Sequence, residues 1–136
     1  MADSYYLLSK DTGDGPYLLG ILMRLGEDEY EFKYLIKGDR FPHWFMQIPR
    51  LGDISRVYKT QEVLHYIIYR VVPEDDEWAA EVIMKNNGLR YYDEWTILEL
   101  LINQHAQHMP HEQPLCDSHQ LFYFYSEIPK NANRFD

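Results

Sequence analysis

The segment from Thr60 to Ile102, TQEVLHYIIYRVVPEDDEWAAEVIMKNNGLRYYDEWTILELLI, constrains the fold most, because it reads as three consecutive helices broken by Pro73 and by Asn87-Gly88. In the first, Val63, Leu64, Ile67, Ile68 and Val71 form one continuous stripe at helical spacing, a face that must be buried. Thr60 is the expected N-cap, with Glu62 near the positive end of the helix dipole. Pro73 stops this helix and permits a second to begin, and Glu74, Asp75, Asp76 and Glu77 place negative charge in the new first turn. Trp78, Ala79, Val82 and Ile83 form the second helix's apolar side, and Gly88 suits a left-handed C-cap. Asp93 is the expected cap of the third helix, whose stripe is Ile97, Leu98, Leu101 and Ile102, extended by Trp95.

Strands precede this block. Tyr5 to Lys10 suits a half-buried strand, stopped by the turn-forming run Asp11-Thr12-Gly13-Asp14-Gly15-Pro16, in which an Asp side chain can bond the backbone two residues on. Tyr17 to Arg24 is a near-continuous apolar strand, turned back at Gly26-Glu27-Asp28. From Glu29 to Ile36 the residues Tyr30, Phe32, Tyr34 and Ile36 alternate with Glu29, Glu31, Lys33 and Leu35, which is nearly strict period two. These strands predict an antiparallel meander with one wet face. A last strand is expected over Leu121 to Ile128, followed by a tail, 129–136, composed to fray. The predicted class is α+β: a small antiparallel sheet, the three-strand meander plus the C-terminal strand, packed against about three helices in a single domain over 1–136.

Charge and composition exclude several roles. The net charge of −9 repels phosphate backbones, and no basic patch is evident to reverse it, so direct nucleic-acid binding is not expected. The longest apolar run, Tyr17 to Met23, is too short for a membrane span, and no signal pattern opens the chain. The single Cys116 leaves no internal disulfide and fits a reducing compartment. Together these features predict a soluble, cytoplasmic protein.

Between the meander and the helices, residues 37–59 hold two prolines, two glycines and no sustained period. The expectation there is a long connection with one short strand, Phe45 to Ile48. Phe41, His43, Trp44 and Phe45 crowd around Pro42. Such an aromatic knot suits either a lid over the end of the core or a rigid anchor for a partner's pocket. The second use makes these four residues the candidate partner-binding site.

Chemistry-bearing residues concentrate late in the chain: His105, His108, His111, Cys116 and His119 fall close together. His105 and His108 share one side of a helix, so a tetrahedral zinc site is conceivable, yet the spacing fits no standard zinc frame and histidine near a helix C-terminus is favoured by the dipole alone. No metal or other cofactor is therefore expected, and the five residues stand only as the candidate ligands if one binds. Asp117-Ser118-His119 invites a nucleophile reading, but no G-x-S-x-G elbow supports it. Phosphate-cradling glycine loops and kinase catalytic motifs are missing from the sequence. The acidic runs read as solvated or capping charge. An enzyme is not the expectation.

Ile48-Pro49-x-Leu51, Tyr58, Arg70-Val71-Val72-Pro73 and Gly88-Leu89-x-x-Tyr92-Asp93-Glu94-Trp95-x-x-Leu98-Glu99 together resemble the N-terminal subdomain of HipA-type serine/threonine kinase toxins. Gly20-Ile21-Leu22 echoes that family's "G-x-L" strand, and Phe32-Lys33-Tyr34 the "F-x-Y" that follows it. The resemblance covers about 17–102 and lacks the kinase body. It implies a stand-alone subdomain, similar to the small third partner found beside split HipA-like kinases, which binds the kinase and holds it inactive in a toxin-antitoxin module with a helix-turn-helix antitoxin. The expectation is thus a non-enzymatic interaction protein that restrains a separately encoded HipA-like kinase. Two alternatives stand beside it: an acidic decoy, phage-encoded or otherwise, that blocks a nucleic-acid-binding or defence protein, and a small metal-dependent hydrolase built on the His105 to His119 cluster.

Overall fold

In the computed structural model, the residues described are 3–11, 13–36, 48, 50–72, 85, 88, 93–108, 114–117 and 119–134. Among these residues, five antiparallel strands form one open sheet in the order β4-β3-β2-β1-β5. They are β1 (Ser4–Leu8), β2 (Leu18–Gly26), β3 (Glu29–Tyr34), β4 (Val57–Lys59) and β5 (Tyr123–Tyr125). Two α-helices are described, α1 (Thr60–Tyr66) and α2 (Glu94–His108). The predicted α+β class and the three-strand meander are observed, and the second helix expected after Pro73 lies outside the described residues.

Local chemistry accounts for the meander. Asp11 Oδ1 accepts hydrogen bonds from the amides of Gly13 at 2.9 Å and Gly15 at 3.0 Å, which closes the first connection. At the second turn Asp28 takes φ +58°, a left-handed conformation that Asp tolerates better than most residues. Tyr30, Phe32 and Tyr34 all point inward and are buried, while Glu29 and Lys33 are exposed, as the alternation predicts. Gly20 faces the same interior: a Cβ there would lie 2.6 Å from the Phe32 ring, so the missing side chain is what lets that ring approach the Gly20 backbone.

The core joins this inner face to one stripe of each helix. Tyr5, Leu7, Leu22 and Phe32 pack with Val63 of α1, with Ile67 just beyond it, and with Trp95, Ile97, Leu98 and Ile102 of α2. Fully burying an aliphatic or aromatic side chain contributes about 1.5–3 kcal/mol, so the helical stripes are what hold the helices to the sheet. Trp95 sits between two tyrosines, with ring centroids 5.5 Å from Tyr5 and 5.7 Å from Tyr30.

Several local expectations change. Thr60 does not cap α1: the cap is Lys59, extended at φ −110°, ψ 176°, because β4 runs directly into the helix. The Thr60 hydroxyl instead accepts from the Tyr30 amide of β3 at 3.1 Å, tying the helix start to the sheet. The first helix is also shorter than expected, since α-geometry ends at Tyr66 and continues only as a 3₁₀ turn, Ile68–Arg70. Ile67 has φ −123° and ψ −63°, off helical geometry, which lets both Ile67 and Ile68 become fully buried. Strand β4 was not anticipated, while Ile48, the described end of the short strand expected over Phe45 to Ile48, is not in a strand. The final strand spans three residues, Tyr123–Tyr125, rather than Leu121 to Ile128. Gly88, as expected, takes φ +66°.

The C-terminal segment expected to fray is instead held against the sheet as far as Asn133. Asn133 donates its amide to the Pro16 carbonyl at 2.7 Å and accepts from the Leu18 amide at 2.8 Å. Its side-chain amide adds a bond to the Asp14 carbonyl at 2.6 Å. Gly15, at φ +87°, is needed here, because a Cβ would collide with the Asn131 carbonyl. Among the described residues no helix is long and apolar enough to cross a membrane.

Candidate functional site

Phe41, His43, Trp44 and Phe45, the candidate partner-binding residues, lie outside the described residues, but the chain that follows them is firmly placed. The Tyr34 hydroxyl donates to the Leu51 carbonyl at 2.6 Å and accepts from the Ile48 amide at 3.0 Å. The Tyr58 hydroxyl does the same with one residue, donating to the Asp53 carbonyl at 3.0 Å and accepting from the Asp53 amide at 2.9 Å. Two tyrosines thus satisfy backbone groups of Ile48, Leu51 and Asp53, beside the Leu51 amide's own bond to the Ile48 carbonyl at 2.8 Å. The rings meet edge to face at 6.5 Å, and Ile48 and Leu51 are buried. Burial holds the Tyr34 hydroxyl well above the ordinary tyrosine range, so it stays neutral and keeps its proton for Leu51. Sequence alternation placed Tyr34 in the core; only its reach to two backbone groups was hidden.

A second constellation lies where the first helical segment meets the C-terminal hairpin. Asp117 is 1% exposed, and its carboxylate is fully engaged. Oδ1 accepts from the amides of Leu121 at 2.6 Å and Phe122 at 3.2 Å, and Oδ2 from the amide of His119 at 3.3 Å. Arg70 closes the arrangement, its guanidinium bonding Oδ2 at 3.1 Å through Nε and 3.0 Å through a terminal nitrogen. Those bonds turn the loop after Cys116 into a cradle around one carboxylate. Gln120, at φ +56°, completes the reversal.

His119 Nδ1 lies 3.4 Å from the Arg70 guanidinium. Cys116 pairs with Tyr123 in an isolated antiparallel bridge, and its thiol is raised by burial and by the neighbouring Asp117 charge, which keeps it a protonated thiol rather than a reactive thiolate. His105 stands on α2, and His111 lies outside the described residues; of His108 only the backbone is described. Among the described residues no three His, Cys, Asp or Glu side chains converge to hold a metal ion. The Asp117-Ser118-His119 sequence therefore puts Asp117 on loop amides and an arginine.

A third group surrounds the start of α2. Asp93, expected as its cap, sits directly before Glu94; its carbonyl accepts from Ile97 at 3.1 Å, and its carboxylate takes the Thr96 hydroxyl and the Arg24 guanidinium. Glu99 is buried and accepts from the Trp95 indole at 3.1 Å. Burial, then the Glu99 charge, pushes the Tyr5 hydroxyl up to about 12. Tyr30 is raised further by burial and by Glu94 and Asp93, and its buried hydroxyl has no hydrogen-bond partner among the described residues.

Comparison with protein-family models, with curated proteins and with solved structures finds no match.

Proposed function

We propose that the chain is a non-enzymatic interaction module that binds and restrains a separately encoded HipA-like serine/threonine kinase, presenting Phe41, His43, Trp44 and Phe45 as its contact. The observation that carries this reading is the double tyrosine anchor just beyond that aromatic segment. Recognition residues on a connecting segment bind well when a rigid scaffold fixes the segment's flank, since less ordering is left for the moment of binding. Tyr34 and Tyr58 provide such a flank at Ile48, Leu51 and Asp53. The net charge of −9 adds long-range attraction to any basic partner surface. The kinase as partner, with a helix-turn-helix antitoxin in the same module, is suggested by the sequence resemblance alone.

The test is direct mixing with a HipA-like kinase from the same genome, followed by size-exclusion chromatography and a phosphorylation assay. The expected result is co-elution and reduced phosphorylation, with both effects lost in the Trp44→Ala/Phe45→Ala double variant. An unchanged elution position with undiminished kinase activity sinks the reading.

A further inference from the structure

The outer face of the sheet, away from the core, carries a groove. Register places Tyr6, Ile21 and Lys33 in one cross-strand row over β1, β2 and β3. Next to that row, Leu18 and Leu35 continue the floor, and the C-terminal segment supplies a wall through Ile128 and Arg134. This open groove measures about 350 Å³, within the size range of small-molecule sites.

Its wall is built, because Arg134 directly follows Asn133, whose three backbone and side-chain bonds to Asp14, Pro16 and Leu18 fix that segment on the sheet. The chemistry of the lining is divided. The floor is aliphatic and aromatic, while the two charged groups, Lys33 and Arg134, are both cations. On the same face, Lys59 is neutralised by Glu31 at 3.2 Å, but Lys33 and Arg134 have no carboxylate partner among the described residues. An apolar trough lined by two cations is complementary to one kind of occupant, an apolar body with a single anionic head.

We propose that this groove binds a small amphipathic monocarboxylate, with its hydrocarbon part against Ile21, Leu18 and Leu35 and its carboxylate held between Lys33 and Arg134. The proposal does not rest on the kinase reading.

Decanoate is the probe, with decanol as the uncharged control of the same length, titrated into the full chain below their aggregation limits while backbone amide NMR shifts are followed. Decanoate is expected to shift the amides of Leu18, Ile21, Lys33 and Leu35, and to bind at least about tenfold more tightly than decanol. Lys33→Met and Arg134→Met keep the apolar stems, so each is expected to bring decanoate towards the decanol affinity and leave decanol unchanged. Retained amide dispersion shows that these exposed substitutions fold. Equal affinity for acid and alcohol, or shifts scattered elsewhere, overturns the proposal. So do groove shifts that follow protein concentration without ligand, which would mean a second copy occupies the groove, or groove shifts caused by the kinase but not by decanoate.

Discussion

The Arg70 guanidinium and the Asp117 carboxylate, forty-seven residues apart, meet at 3.0 Å with the carboxylate wholly buried. That contact welds the end of the first helical segment to the loop before β5. The Arg70 side chain is 19% exposed, so the pair lies at the rim of the core, where the arginine keeps part of its hydration while the aspartate has none. Asp117 is compensated by three amides as well as by the arginine.

Replacing Asp117 by Ala removes every acceptor at once and leaves three loop amides and a guanidinium facing a void. The expected loss is about 3–5 kcal/mol of stability, as for breaking a buried pair by deleting one partner. Asp117→Asn keeps a neutral acceptor and is expected to lose about 1–3 kcal/mol. Urea unfolding reads both, as a lower midpoint at constant slope. A midpoint within error of wild type for Asp117→Ala contradicts the cradle.

Tyr34→Phe and Tyr30→Phe delete the same atom with opposite consequences. At Tyr34 the change orphans the Ile48 amide and the Leu51 carbonyl and is expected to destabilise by about 1–3 kcal/mol. At Tyr30 the hydroxyl is already buried without a partner among the described residues, so its removal is expected to be neutral or to stabilise by up to about 1 kcal/mol. Equal losses at the two positions would falsify the assignment of their hydroxyl environments.

Alkaline pH should unfold the protein through its tyrosines. Tyr5 is held up to about 12 against 10.0 unfolded, and Tyr30 and Tyr34 are raised further, chiefly by burial. A raised folded value means the native state keeps protons that the unfolded chain releases. This contribution is complete below pH 10 and declines as pH climbs from there through about 12. Tyrosinate absorbance should show Tyr5, Tyr30, Tyr34, Tyr123 and Tyr125 lagging behind the others, followed by cooperative unfolding. Simple titration of all twelve tyrosines near pH 10 in a folded protein contradicts the burial argument.

Gly20→Ala tests the sheet's packing. The added methyl would lie 2.5 Å from the Lys33 carbonyl and 2.6 Å from the Phe32 ring, and both must yield. Overpacking of this kind costs about 1–3 kcal/mol. Calorimetry should show a lower melting temperature, and Gly13→Ala is the comparison, since Gly13 has open space but φ +118°. There the cost is backbone strain alone.

Much of this fold is legible where a signal is local. The alternation from Glu29 to Tyr34, the Asp11 turn and the helical stripe through Ile97 each rest on neighbours a few positions away, and those elements form as expected, while the helix through Val63 forms but stops at Tyr66. The misses share a physical cause, which is distance along the chain. Val57–Lys59 is too short to show a period and becomes a strand only because β3 offers an edge. Thr60 looks like a cap until the Tyr30 amide competes for its hydroxyl. Arg70 and Asp117 carry no mutual signal in sequence, and Tyr34 reveals its apolar ring but not the carbonyl it reaches. In the aromatic segment Phe41 to Phe45 the residue types suggest contact, while the described structure bears only on what anchors its flank.

The position of β1 sets a schedule for synthesis. Its partner on one side, β2, emerges almost at once, whereas β5 on the other side emerges only after both described helices. Until Tyr123 to Tyr125 arrive, the nascent sheet exposes the bare edge of Ser4–Leu8, with Leu7 and Leu8 uncovered and ready to pair with any passing strand. Ribosome-bound chains truncated before β5 are therefore the aggregation-prone species, and release of the C-terminal hairpin is the step that ends their vulnerability.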